Sequence, residues 1–257
     1  MKLSILICTF SGRQHLLDLT LKSLERQNIN INYETLILDD GIPNNNVEMI
    51  CNKYPKLKIK YIFLGQRNIN EINKLYWRDA GFAINYGLKH CSGELVLINE
   101  AEVYNIDCNQ INKMIEPHLT QQKLITHPKR VYIDTGILLN QIEKGIEPTT
   151  EVLSKIENFY HAHFHYSIML YKKELINIGG WDEDFLGSCY TDGDINDRLE
   201  MNGMKFVPLD LECIHLFHPR INCIGWDYNK RLYEERKNII IRNQDKQWGM
   251  NIWHNIF

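Results

Sequence analysis

The stretch LSILICTF, residues 3–10, is a run of apolar and β-branched side chains interrupted only by the small Ser4. A strand with one face in water alternates polar and apolar residues. A run without alternation fits a strand covered on both sides, as in the middle of a parallel sheet. The pattern continues outward from it. HLLDLTLKSLERQ (15–27) sets its apolar residues at helical spacing, and YETLILDDG (33–41) is a second buried strand ending in two acids and a glycine. LKIKYIFLG (57–65) supplies a third strand, YWRDAGFAINYGLKHCSG (76–93) a helix, and ELVLINEAEVY (94–104) a fourth strand that again ends in carboxylates. Strand and helix alternate at short intervals, which predicts an open parallel α/β sheet flanked by helices.

With 257 residues, 44% hydrophobic and 24% charged, the chain can bury a large core in one large or two small domains. No internal repeat or low-complexity segment divides it, so one compact domain with a C-terminal extension is expected. A formal charge of −3 leaves no overall electrostatic footprint for nucleic acid, and none is expected as a partner. The seven cysteines form no C-x-x-C pair. That pattern disfavours a zinc knuckle or disulfide framework and fits free thiols in a reducing, cytoplasmic compartment. The N-terminal apolar run is too short to cross a membrane.

In open α/β sheets ligands lie beyond the carboxyl ends of the strands, so Thr9, Asp39, Asp40, Glu100 and Glu102 are expected along one edge. A nucleotide suits such an edge. The first turn, CTFSGRQ, lacks G-x-G-x-x-G, and no G-x-x-x-x-G-K-[ST] occurs, so a dinucleotide fingerprint and a P-loop are both excluded. Carboxylates can still hold a diphosphate indirectly, through a hard divalent cation such as Mg²⁺ or Mn²⁺. Farther on, GGWDEDFLGSCYTDGDINDRLEMNG (179–203) crowds seven acidic side chains into one stretch. Like charges that close must be solvated, paired or poised for chemistry.

SILICTF, LILDDG, YWRDAGFAINYGLKHCSGELVLINEAEVY and the 179–203 stretch, in that order, resemble the GT-A fold glycosyltransferases of the family-two type. The last stretch is also similar to the carboxyl-half motif of β-1,4-galactosyltransferases and polypeptide N-acetylgalactosaminyltransferases. The likeness runs from residue 3 to about residue 220, within the few-residue precision of such boundaries. It implies an α/β, GT-A (Rossmann-like) fold with an open, mostly parallel central sheet flanked by helices. Residues 1–218 would form the glycosyltransferase domain, with a nucleotide-binding half to about 105 and an acceptor-binding, catalytic half from about 106. Residues 219–257 would be an extension acting as lid, oligomer contact or acceptor arm.

The resemblance also implies roles. A metal-dependent, inverting hexosyltransferase is expected, with a UDP-sugar as donor and a saccharide or glycoconjugate hydroxyl as acceptor. Thr9, Phe10, Asp39 and Asp40 would hold uracil and ribose, a carboxylate accepting a charge-assisted bond from the uracil N3–H. Arg78, in the place of an R-N-x-G element, would hold a carboxylate or phosphate as a planar fork. The family's D-x-D is replaced by Glu100-Ala101-Glu102. In an extended segment residues i and i+2 share a side, so Glu102 would bind the metal and Glu100 would face ribose or sugar. His215 and His218, in CIHLFHPR, would join the metal and favour Mn²⁺ over Mg²⁺. Asp192 would be the general base, with Asp194, Gly180 and Trp181 serving the acceptor, while Thr191 stands where relatives carry Glu.

Each residue has a plainer reading. Asp39-Asp40-Gly41 is an ordinary strand-to-turn sequence. Asp192 and Asp194 can cap the following helix, Glu100 and Glu102 can be a solvated strand end, and Arg78 a surface charge. HAHFHY (161–166) reads as a polar strand face, and His215 and His218 as a hydrogen-bonded core edge. Trp77, Trp181 and Trp226 either shape an acceptor site or fill core. The tail mixes charged and aromatic residues, leaving an oligomer contact or a peripheral membrane contact open. A nucleotidyltransferase, or a binding module of this fold without turnover, would share much of the same sequence.

Overall fold

The computed structural model of the chain describes residues 1–10, 12–41, 46–65, 79–133, 135–144, 146, 148–153, 155, 160–162, 167–187, 189–218 and 225–250. Strand and helix alternate as the sequence predicts. The first half runs β1 (Lys2–Thr9), α1 (Gln14–Glu25), β2 (Asn32–Asp39), α2 (Val47–Cys51), β3 (Ile59–Phe63), α3 (Ala80–His90), β4 (Leu95–Asn99) and β5 (Val103–Asn105). The second half continues with α4 (Gln110–Ile115), β6 (Leu124–Ile133), α5 (Thr135–Glu143), α6 (Thr150–Leu153), β7 (Tyr160–Ala162), β8 (Ser167–Tyr171), α7 (Lys172–Asn177), α8 (Thr191–Met201), β9 (Lys205–Leu216) and α9 (Trp226–Arg236).

One sheet carries all these strands in the order β3-β2-β1-β4-β8-β6-β9-β5, with β7 paired to β6. The first four strands are mutually parallel. Beyond β4 the sheet is mixed: β8 is antiparallel to both β4 and β6, β6 and β9 are parallel, and β5 closes antiparallel on β9. The chain therefore builds outward from β1 through β2 and β3, then returns to its other side with β4. Such a reversal opens a crevice at the carboxyl ends of the two flanking strands, here Thr9 of β1 and Asn99 of β4.

The lack of alternation in the opening run has a direct cause. Leu3, Ile5 and Ile7 pack with Leu17, Leu21 and Leu24 of α1 and with Ile111 and Met114 of α4. Leu6 faces the other way, among Ala83, Ile84 and Leu88 of α3, Leu175 of α7 and Ile195 and Leu199 of α8. Both faces of β1 are covered, and each buried aliphatic side chain contributes about 1.5–3 kcal/mol.

The described part of the C-terminal extension is fastened to this body. Arg242 N donates to Ile178 O at 3.0 Å, and the Asn243 amide donates to the carbonyls of Gly179 and Trp181. Asn229, fully buried in α9, bonds the backbone of Leu186 and Cys189. Cys189 is disulfide-bonded, unlike the free thiols Cys8, Cys51, Cys91, Cys108 and Cys213. That pairing departs from the sequence expectation, because Cys189 lies in an irregular loop whose neighbours only the tertiary fold sets. Among the described residues no helix is long and apolar enough to cross a membrane.

Candidate active site

The turn between β4 and β5 carries Glu100, Ala101 and Glu102. Val103 N closes it on Glu100 O at 3.2 Å, so these residues turn where the sequence suggested an extended segment. Two bonds hold it: Thr20 of α1 donates to Ala101 O at 2.7 Å, and Leu216 N donates to Glu102 O at 2.8 Å. The second belongs to the ladder in which Val103 pairs with His215, which brings the end of β9 against the turn. As a result Glu102, His215 and His218 each offer a ligand atom within 4.8 Å of the others. His218 Nε2 lies 3.3 Å from Glu102 Oε1. Ligand atoms of one ion lie about 2 Å from it, hence up to about 4 Å apart. Closing this set around a divalent cation requires moving the Arg13 guanidinium that donates to Glu102, and one carboxylate with two imidazoles is a donor set that favours Mn²⁺ over Mg²⁺.

The electrostatics agree with that fit. Burial alone would raise the Glu102 carboxyl, but a hydrogen bond from His218 and the charges of Arg13, His215 and His218 hold it at about 2. Burial pushes His215 down to about 3, outweighing the pull of Glu102 and aided by Arg130, so its imidazole is neutral and able to offer a lone pair. Glu100 moves the opposite way, well above the usual range, through loss of solvent and the nearby charges of Glu102 and Asp192. Glu100 Oε2 is covered and accepts no hydrogen bond among the described residues, with the neutral imidazole Nε2 of His215 4.0 Å away. Carboxylates that repel one another around an uncommitted oxygen are the environment a cation stabilises.

Asp192 stands at the start of α8, open to solvent on the side of Glu100. The surrounding protein and the charge of Asp79 raise its carboxyl to about 6, with Arg130 opposing. Water still reaches the side chain and screens it. Asp79 caps α3, accepting from Gly81 N at 2.7 Å with one oxygen and from Thr191 Oγ1 at 3.1 Å with the other. Thr191 thereby ties the amino ends of α3 and α8 together.

Five of the other acids of the 179–203 stretch are engaged elsewhere, and Glu200 is exposed. Asp182 and Asp184 pair with Arg236, Asp184 also with Lys246, Glu183 accepts from Asn85 and Gly249, and Asp197 accepts from Tyr233. Asp194 is a correction to the sequence reading. It points inward, 2% exposed, with Arg198 and Arg242 each 2.7 Å away, and offers nothing to an acceptor. Trp181 and Gly180 are corrections too. The indole is 6% exposed and packs so closely on Gly81 that a Cβ there would sit 2.3 Å from its ring. Gly179 and Gly180 have φ of +78° and +67°, and their turn accepts the Arg242 backbone and the Asn85 side chain where any Cβ would collide. This glycine turn serves internal packing.

On the nucleotide side, Thr9 and Asp39 are neighbours across β1 and β2, and Asp40 N donates to Thr9 O at 2.8 Å. Asp39 is fully buried, accepting from Gly41 N and Tyr61 OH in the turn after β2. Thr9 Oγ1 is buried and makes no hydrogen bond among the described residues. Phe10 lies against Arg13. Arg78 and Trp77 lie outside the described residues, as does most of HAHFHY.

Sequence reasoning missed three residues. Arg130, 2% exposed, comes from β6 opposite Cys213 of β9 and acts electrostatically on Glu100, Asp192 and His215. Asp79 adds its charge to the burial that raises Asp192. Arg13 donates to Glu102 and lies 3.3 Å from His218 Nδ1. Only Arg13 had a signal, as the cation of CTFSGRQ at the carboxyl end of β1.

The sequence matches the family model described as Glycosyl transferase family 2 over residues 4–180. No curated protein matches it. Many solved structures are similar in fold, these three among them. A mannosyltransferase from Pyrobaculum calidifontis, in complex with GDP-Man and Mn²⁺, is 14% identical with a TM-score of 0.57, covering 91% of this chain and 62% of its own. TarS 1-349 from S. aureus, in complex with UDP-GlcNAc, is 15% identical with a TM-score of 0.57, covering 87% and 60%. GalNAc-T7, with UDP, GalNAc and Mn²⁺, is 13% identical with a TM-score of 0.60, covering 95% and 56%. The chain thus spans under two thirds of the length of these three proteins.

Proposed function

Because the chain belongs to glycosyl transferase family 2 and is built on the GT-A fold, we propose that it transfers a hexosyl group from a nucleotide sugar to a hydroxyl of a saccharide or glycoconjugate. The observation that carries this reading is the meeting of Glu102, His215 and His218 beside Glu100 and Asp192, at the crevice between β1 and β4. The ligands named for the similar structures, a GDP- or UDP-linked sugar and in two cases Mn²⁺, support it. A UDP-sugar is the preferred donor here, with Asp40 accepting from the uracil N3–H and Thr9 and Phe10 beside it.

Glu102, His215 and His218 would hold a divalent cation, preferably Mn²⁺, which when bound neutralises charge on the departing diphosphate. Asp192 takes the proton of the acceptor hydroxyl as its oxygen bonds to the anomeric carbon. The bond from that carbon to the phosphate oxygen breaks, and its electron pair leaves with the nucleoside diphosphate. One base opposite the leaving group gives single displacement with inversion. Arg130 keeps Asp192 from rising further, so the base is ionised at neutral pH. With Trp181 in the core, Trp226 is an exposed aromatic among the described residues that would meet an acceptor; it is 50% exposed and in edge contact with Tyr190, two residues before Asp192. The cytoplasm remains the proposed compartment because five of the described cysteines are free thiols, although the disulfide at Cys189 points the other way.

The test is a thermal-shift screen of UDP- and GDP-sugars with and without Mn²⁺, followed by NMR of any product. A midpoint raised by a nucleotide sugar only with metal, and a product of inverted anomeric configuration, are expected. Retained configuration would overturn the single displacement. Binding without transfer or hydrolysis across a broad acceptor panel would leave a sugar-nucleotide-binding module.

A further inference from the structure

Arg13 has no part in the reading above, yet it engages the same atoms. Its Nη1 donates to Glu102 Oε1, the oxygen that His218 Nε2 approaches at 3.3 Å, and its Nη2 lies 3.3 Å from His218 Nδ1. Arginine can only donate, so His218 Nδ1 accepts, and the ring proton sits on Nε2 facing Glu102. Both nitrogens of His218 are then committed, and neither has a lone pair to give a metal. A guanidinium and a divalent ion also cannot share one carboxylate oxygen without strong repulsion between like charges. Two of the three groups assigned to the cation are thus held by an arginine.

We propose that Arg13 is an internal counter-ion that a divalent cation must displace from Glu102 and His218, and that the displaced guanidinium turns to the diphosphate of the donor. The proposal rests on the metal-site reading above. The backbone at Arg13 is fixed, since its carbonyl accepts from Leu16 N and Leu17 N at the start of α1, so the side chain is the moving part. The ring of Phe10 lies 4.4 Å under the guanidinium carbon and supports it beside the crevice. Gly12 before it has a φ of +88°, with nothing within 4 Å of a Cβ built there, so the loop offers open space. A planar fork pairs with two phosphate oxygens as readily as with a carboxylate. Metal and nucleotide therefore bind cooperatively: the ion pushes Arg13 off, and the diphosphate gives it a new anionic partner.

The experiment is titration of the full chain with Mn²⁺, alone and with UDP, by calorimetry and by the electron paramagnetic resonance of free Mn²⁺. Wild type, Arg13→Gln, Arg13→Lys and Glu102→Gln are compared. Arg13→Gln is expected to bind Mn²⁺ at least tenfold tighter than wild type without UDP, and to lose most of the tightening that UDP causes. Arg13→Lys should keep the wild-type pattern. The Mn²⁺-induced rise in thermal midpoint should be larger for Arg13→Gln, a readout that holds even if that variant is less stable. Mn²⁺ binding that disappears in Glu102→Gln but is unchanged in Arg13→Gln overturns the proposal and leaves the metal site intact. Absence of Mn²⁺ binding in wild type and in Arg13→Gln, with and without UDP, overturns both.

Discussion

Arg242 reaches back from the C-terminal segment to place Nη2 2.7 Å from Asp194 Oδ1, an ion pair in which both side chains are 2% exposed. Its Nε lies 2.9 Å from Asp182. The tail thus neutralises two buried carboxylates and anchors α8 two residues from Asp192.

Arg242→Ala leaves Asp182 and Asp194 buried with one cation fewer. Breaking a buried pair from one side costs about 3–5 kcal/mol. A lower urea midpoint at unchanged slope is expected, together with loss of transfer even where the fold survives. A midpoint equal to wild type would show that the tail does not hold α8.

Asp192→Asn keeps the shape of a solvent-open side chain and removes the base. Turnover is expected to fall by about 10²–10⁴-fold, with nucleotide-sugar affinity and thermal midpoint close to wild type. Calorimetry and initial rates separate the two, and undiminished turnover would exclude Asp192 from the mechanism.

The pH profile tests the same group. Asp192 is raised to about 6, so it is ionised above that pH and protonated below it. Transfer should therefore be full near neutrality and fall on an acid limb near pH 6. Asp79→Asn retains a side chain able to cap α3 but removes a negative charge, so the limb should move toward lower pH. A limb that stays in place would mean that another group controls it.

Two tryptophans should respond oppositely. Trp181→Ala empties a core position, which costs about 3–5 kcal/mol for a residue of this size. Trp226→Ala, at an exposed site, should leave stability within about 0.5 kcal/mol and raise KM for the acceptor. Equal KM in wild type and Trp226→Ala would place the acceptor elsewhere.

The sequence by itself determined the parallel half of the sheet, because a strand covered on both sides has to be apolar at every position, as LSILICTF nearly is. It also marked the strand ends, where Glu102, His215 and His218 stand, since polar groups beyond a buried strand have few other places to go. It could not sort the seven acids of residues 179–203. Composition and spacing are the same for Asp192, open to the crevice, and for Asp194, locked to Arg198 and Arg242. Which carboxylate is paired depends on Arg198 within α8 and on cations that come from α9 and from beyond it. The same holds for Arg13 and Arg130, whose charges bear on the site only after β1, β4, β6 and β9 have converged. Local sequence sets which side chains can be buried, and tertiary structure decides which charges meet, because Coulomb energy depends on distance through space and not along the chain.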